Sequence, residues 1–127
     1  MKTIHILAWL LAGVACTADK PAPSPPASTV AVRPTDDWLG RWNGVEGTYL
    51  DLARDGDGYA VTVADLDGPR TYAGRSAGDH VEFVRGGRTE SIRRATGQET
   101  GMKWLADETN CLVITVGREG FCRKPAG

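Results

Sequence analysis

Residues 48–64 read Thr48-Tyr49-Leu50-Asp51-Leu52-Ala53-Arg54-Asp55-Gly56-Asp57-Gly58-Tyr59-Ala60-Val61-Thr62-Val63-Ala64. The two outer runs alternate with a period of two. Leu50 and Leu52 therefore share one face of the first run, and Tyr59, Val61 and Val63 share one face of the second. Asp55-Gly56-Asp57-Gly58 between them is tight-turn chemistry, because glycine accepts positive φ without a Cβ clash. The stretch predicts an antiparallel hairpin with one apolar face. A lone hairpin is marginally stable in water, so other strands must cover that face.

Working outward, strand-like runs recur at short, regular spacing. Asp67-Gly68-Pro69 turns the chain into residues 70–74, and Gly78-Asp79 precedes 80–84, where Val81 and Phe83 share a face. The Arg85-Gly86-Gly87-Arg88 turn leads to 89–93 with Ile92, the weakest strand signal. Residues 102–105, 112–116 and 121–123 complete the series, with Leu112 and Ile114 inward. No long window carries a helical stripe. The pattern predicts a mainly β domain over residues 36–127: a small antiparallel meander, closed as a barrel or folded as a sandwich. About 90 residues can enclose one small core.

The opposite end of the chain has a different composition. Met1-Lys2-Thr3 is followed by an apolar run from Ile4 to Ala15, well short of the roughly 20 residues that span a bilayer. A charged start, a short apolar segment and small residues describe a secretory signal. Leu10-Leu11-Ala12-Gly13-Val14-Ala15-Cys16 resembles a bacterial lipobox. The resemblance implies that residues 1–15 are removed and that Cys16 receives a diacylglycerol and an amide-linked acyl group. A single acyl chain holds a protein to a membrane only marginally, and more than one gives a stable anchor. An ordinary signal cut near Ala18 is the alternative. Thr17 stands where an aspartate would mark inner-membrane retention. The expected location is thus the outer membrane of a two-membrane cell, with the domain facing the periplasm or the cell surface. Residues 16–35 hold Pro21, Pro23, Pro25, Pro26 and Pro34, which disfavour helix and sheet alike. They read as a semi-rigid polyproline tether reaching about 60 Å at ~3.1 Å per residue, with Val30 and Val32 as an optional edge strand.

Export changes the cysteine arithmetic. With Cys16 assigned to lipid, Cys111 and Cys122 form an even pair in a compartment that permits disulfides. A metal site is the alternative, but beyond residue 15 the only histidine is His80. The pairing meets a register conflict. If residues 117–120 form a four-residue hairpin loop, Cys111 lies about 13 Å along the strand from Cys122's partner, beyond disulfide reach. Direct opposition puts Val116 and Gly117 in a two-residue turn, where valine is unsuited. The expectation is a disulfide with a bulged or irregular connection.

Trp38-Leu39-Gly40-Arg41-Trp42 opens the domain. Gly40-x-Trp42 resembles the Gly-x-Trp motif on the first strand of lipocalins and other calycin barrels. That resemblance implies that Trp42 plugs the closed end of a barrel. The alternative is a tryptophan that seals a small β core without a ligand cavity.

Charge limits the function classes. The whole chain has 15 basic and 16 acidic side chains, a net charge of −1, which argues against a nucleic-acid partner. Charge is also segregated: residues 36–67 carry two basic and eight acidic side chains, and 70–94 carry six basic and three acidic. Opposed patches steer association with a charged partner. Arg85, Arg88, Arg93 and Arg94 are the first candidates for contacting an envelope protein or polymer; ordinary solubilising decoration is the alternative.

No motif for a chemical reaction stands out in the sequence. Ser76 and Ser91 lie outside any Gly-x-Ser-x-Gly elbow, and His80 has no metal-spaced partner. His80 neighbours Asp79, but strand alternation would point the two apart. Asp51 and Glu82 are the acid pair that could meet across strands. Asp55, Asp57, Asp65 and Asp67 lack the remaining ligands of a calcium loop and read as solvated turn residues. The expectation is a non-enzyme without metal or cofactor. Lipobox, paired cysteines and small β domain together resemble, in architecture, the membrane-bound inhibitors of c-type lysozyme. Their Ser-Gly-x-x-Tyr segment has no counterpart here, so no inhibitory residue carries over. An inhibitor or immunity-type binding module is the leading expectation. The alternatives are a small calycin-like carrier of an apolar ligand and a structural lipoprotein contacting peptidoglycan.

Overall fold

A computed structural model describes residues 32–125. The signal segment, Cys16 and the tether through residue 31 lie outside the described residues. Among those described, no helix is long and apolar enough to cross a membrane.

The opening hairpin is β2 (Tyr49–Asp55) and β3 (Gly58–Asp65), with Leu50 opposite Val63 and Leu52 opposite Val61. Around it run β1 (Gly40–Asn43), β4 (Gly68–Ser76), β5 (Val81–Arg85), β6 (Arg88–Ala95), β7 (Cys111–Thr115) and β8 (Glu119–Cys122). Each strand pairs antiparallel with the next, and β8 returns to β1, so the meander is an eight-stranded closed barrel and not a sandwich. The residues expected inward (Leu50, Leu52, Tyr59, Val61, Val63, Val81, Phe83, Ile92, Leu112 and Ile114) are all buried in one core with Trp38, Trp42 and Phe121. The expected weak strand at 89–93 is the eight-residue β6, anchored through fully buried Ile92.

Three seams are short. β4 and β5 share three residue pairs, as do β6 and β7, and β1 meets β8 only through Asn43 and Cys122. At the β1–β8 seam a side chain substitutes for the missing ladder. Arg123, just past β8, donates from Nη1 to the Leu39 carbonyl at 2.7 Å and from Nη2 to the Asp37 carbonyl at 2.6 Å. Its guanidinium also lies 3.9 Å from the Trp42 ring centroid. This explains Gly40: its φ is +107°, and a Cβ there would sit 3.2 Å from Arg123 Nη1.

Alternate connections of an up-and-down barrel lie at the same end. One end, with the β2–β3 and β4–β5 connections, is plugged by the 3-10 helix Pro34–Trp38. Trp42 Nε1 donates to the Trp38 carbonyl at 2.8 Å. Tyr59 donates its hydroxyl proton to Asp36, so Thr35 must donate to Tyr59 and Ser76 to Thr35. Thr35 is fully buried, so the packed domain begins before Asp36, while Val32 is exposed and lies in no strand.

The 102–105 strand expectation is corrected. Residues 96–110 form a lobe with two 3-10 turns, Gln98–Thr100 and Lys103–Leu105. Met102-Lys103-Trp104-Leu105 lacks true alternation, since both of its faces carry an apolar residue. In a 3-10 turn residues i and i+3 eclipse, which brings Met102 and Leu105 together over the disulfide and turns Trp104 outward. Thr96 and Glu99 cap the lobe reciprocally, each backbone N–H donating to the other's side chain. Gly117 N–H donates to the Thr100 carbonyl at 2.7 Å, tying the lobe to the β7–β8 turn.

Cys111 and Cys122 are bonded and stand directly opposite each other. The register conflict resolves as a bulge: Val113 faces Gly120 but Thr115 faces Glu119, so β7 carries one extra residue. That leaves a three-residue turn over Val116, Gly117 and Arg118.

Candidate functional site

Side chains fill the barrel interior. Trp42, Leu50, Leu52, Tyr59, Val61, Val81, Phe83, Ile92 and Leu112 are each 2% exposed or less, and the recesses among the described residues open to the surface. β4 contributes Gly74, where even a Cβ would sit 2.7 Å from Val61.

The open end is floored by charge. Arg85 follows Phe83 on the inward face of β5 and lies 5.5 Å from its ring centroid. Its guanidinium forks onto Glu119 at 2.7 and 2.8 Å and reaches Glu90 at 3.2 Å. Thr115 Oγ1 adds a hydrogen bond to Glu119 at 2.9 Å. The Arg85 hydrogen bonds hold Glu119 below the usual carboxylate range, and the same partners push Arg85 up. An open recess of about 590 Å³ lies above this floor, with Arg88, Arg118 and Asp65 on its wall.

The four candidate arginines do not form one patch. Arg85 and Arg88 face each other across the β5–β6 turn. Arg85 is consumed by two carboxylates, whereas Arg88 has no ion-pair partner among the described residues. Arg93 is exposed on the outer wall. Arg94 lies toward the closed end, near enough to Arg123 to help lower its pKa, after the larger effect of desolvation. Alternation and hairpin geometry scatter residues that are close in sequence.

His80 does contact Asp79, contrary to the alternation argument, because it precedes β5 and lies in the connection. Its Nδ1 is 2.9 Å from Asp79 Oδ1 and its Nε2 3.0 Å from Glu82 Oε2. Arg75 also holds Glu82, at 2.6 Å. The two carboxylates, Asp79 first, raise the His80 pKa. This clip braces the short β4–β5 seam. Asp51 pairs with Arg41 instead of meeting Glu82. The turn aspartates lie apart: Asp55 and Asp57 at one end of β3, Asp65 and Asp67 at the other.

A further surface was missed by sequence reasoning. Trp104 is 81% exposed, on the lobe, beside an open recess of about 450 Å³ lined by Gly44, Val45, Glu46, Trp104 and Leu105. Glu46 has φ 55° and ψ 35°, and is the single non-glycine residue with positive φ among those described. Reading Trp104 as a strand residue hid it. The flanking Gly44 and Gly47 were the available signal that residues 44–47 turn sharply.

Comparisons with protein-family models, with curated proteins and with solved structures return no match.

Proposed function

We propose that this chain is a non-enzymatic, lipid-anchored binding module of the cell envelope, an inhibitor-type protein that engages an envelope protein or polymer through its outer surface. The filled interior carries the reading. A carrier needs an enclosed apolar cavity of roughly 300 Å³ or more, and here bulky side chains occupy the space where one would lie. The lipobox resemblance at Cys16 supplies the anchor, and the pairing of Cys111 with Cys122 suits an oxidising compartment. The engagement of both His80 nitrogens by carboxylates, and of Ser76 by the closed-end network, favours a non-catalytic role.

The carrier reading keeps one supporting observation. Gly40-x-Trp42 sits at the plugged end of an eight-stranded up-and-down barrel, a layout that lipocalins use. Native mass spectrometry of the folded, exported protein separates the two. The binding module emerges with no apolar ligand inside, and a stoichiometric fatty acid or lipid would establish the carrier instead. The anchor has its own test. Cys16→Ser should release the protein from membranes, and an unmodified N-terminus beginning after Ala18 would refute lipidation.

A further inference from the structure

We propose that the Trp104–Glu46 recess binds a sugar ring of an envelope glycan, with the indole as the stacking platform and the Glu46 carboxylate as the hydrogen-bond acceptor. The inference deepens the binding-module reading and rests on it, because it gives the outer surface a ligand class.

Trp104 is held out by a rigid base. Leu105, next to it, is buried against the Cys111–Cys122 disulfide. The Leu105 N–H donates to the Met102 carbonyl at 2.9 Å, and the Glu108 N–H donates to the Leu105 carbonyl at 2.9 Å. Trp38 and Trp42, by contrast, are 5% and 1% exposed and belong to the core. The main chain that carries the indole is thus ordered before any ligand arrives, which lowers the ordering cost of binding.

Across the recess stands Glu46. Its carboxylate has no hydrogen-bond or salt-bridge partner among the described residues, and its backbone adopts a conformation that glycine accepts more readily. Gly44, Val45 and Leu105 complete the lining between the two. A side chain at Gly44 would collide with Thr48 Oγ1, and Thr48 is held by its own hydrogen bond to the Val45 carbonyl at 2.7 Å.

These parts match a pyranose with equatorial substituents. Such a ring has a face of axial C–H bonds, which rest on an electron-rich indole face. Its rim of hydroxyl and amide N–H donors suits an unpartnered carboxylate. The recess has room for one or two rings. A protein partner fits less well, because interface cores cluster aromatic and apolar groups and are depleted of charge. Lys103, Asp107 and Glu108 around Trp104 are exposed; of the other exposed apolar side chains, Val116 stands alone on the β7–β8 turn, and Val32, Leu66 and Val84 lie before the plug helix, on the β3–β4 turn and on β5.

The test titrates the full mature protein with β-1,4-linked N-acetylglucosamine oligomers. It follows tryptophan fluorescence and, for variants lacking the indole, ligand-observed saturation-transfer NMR. A saturable response is expected, with Trp104→Ala weakening binding at least about tenfold, the factor one good contact carries. Trp104→Phe should retain part of the affinity and Glu46→Gln should lose part. Glu46→Gly should weaken binding while raising the melting temperature, a split that a purely structural glutamate would not produce. A silent titration, or affinity unchanged in Trp104→Ala, overturns the proposal. Capture of an envelope protein that depends on Trp104, without a glycan response, also overturns it and assigns the platform to a protein. Lipid inside the barrel would sink the binding-module reading by a separate measurement, whereas a silent titration of a lipid-free barrel sinks only the glycan.

Discussion

Replacing Arg123 with alanine should destabilise the barrel far more than loss of a surface arginine ordinarily does. The guanidinium bridges β8 to the two carbonyls that flank the end of the plug helix, Asp37 and Leu39, and stacks on Trp42. A hydrogen bond from a charged donor contributes about 1.5–3 kcal/mol when well formed. A cation over an indole adds about 0.5–2 kcal/mol. Two effects act against these gains: partial desolvation of the guanidinium, which lowers its pKa, and the like charge of Arg94. We take the net loss as roughly 2–3 kcal/mol, less than the sum of the contacts because such terms are not additive. For a domain of this size each kcal/mol shifts the melting temperature by about 4–8 °C, so the expected fall is roughly 10–20 °C. Thermal melts and urea unfolding followed by near-ultraviolet circular dichroism measure it. Arg123→Lys should recover less than half, because an ammonium lacks the planar fork that reaches two carbonyls while stacking. A fall under about 3 °C for the alanine variant, or a lysine variant indistinguishable from the parent, would refute the clamp.

Three other outcomes are expected. The disulfide should resist reductant in the native state, since Cys111 is fully buried and Cys122 nearly so, and replacing both cysteines with alanine should cost about 2–3 kcal/mol by urea unfolding. The acid side of the stability profile should reflect Asp36 and Glu119. The Tyr59 hydroxyl hydrogen bond, foremost, holds Asp36 below the ordinary carboxylate range, and Arg85 does so for Glu119. A lowered folded-state pKa gives stability that is present above the unfolded value and lost as pH falls through the folded one. The melting temperature should therefore drop below about pH 4, less steeply in Glu119→Gln. Charge reversal at exposed Arg88 and Arg93, which have no ion-pair partner among the described residues, should slow association with the proposed envelope partner in stopped-flow or surface-binding kinetics while leaving the melting temperature nearly unchanged. Unaltered association would remove the arginines from the interface.

The candidate site was less legible than the fold, for a physical reason. Arg85, Arg88, Arg93 and Arg94 looked like a patch because they are close in sequence. Along a strand, however, successive side chains alternate between faces, and a strand of eight residues spans the barrel wall. One arginine therefore enters the mouth, one stays on its rim, one faces solvent and one lies toward the closed end. The Trp104–Glu46 recess is the converse case. Its two principal residues are far apart in the chain, and they meet only because the lobe folds back over the outer face of the disulfide.

What the sequence determined by itself was everything that depends on local spacing. Alternation chose strands and assigned their faces, glycine-rich turns ended them, and the inward list from Leu50 to Ile114 followed directly. Expected export and cysteine parity indicated the disulfide, and the register conflict already required a bulge. Tertiary structure alone decided how the ends met. The choice of barrel over sandwich rests on the single pair between Asn43 and Cys122, and on an arginine that grips a carbonyl 84 residues earlier. The 102–105 segment became a 3-10 turn because Met102 and Leu105 had a disulfide to cover, a demand set by residues outside its own window. Spacing within a segment fixes which way side chains point; only the closed chain brings distant segments within reach of one another.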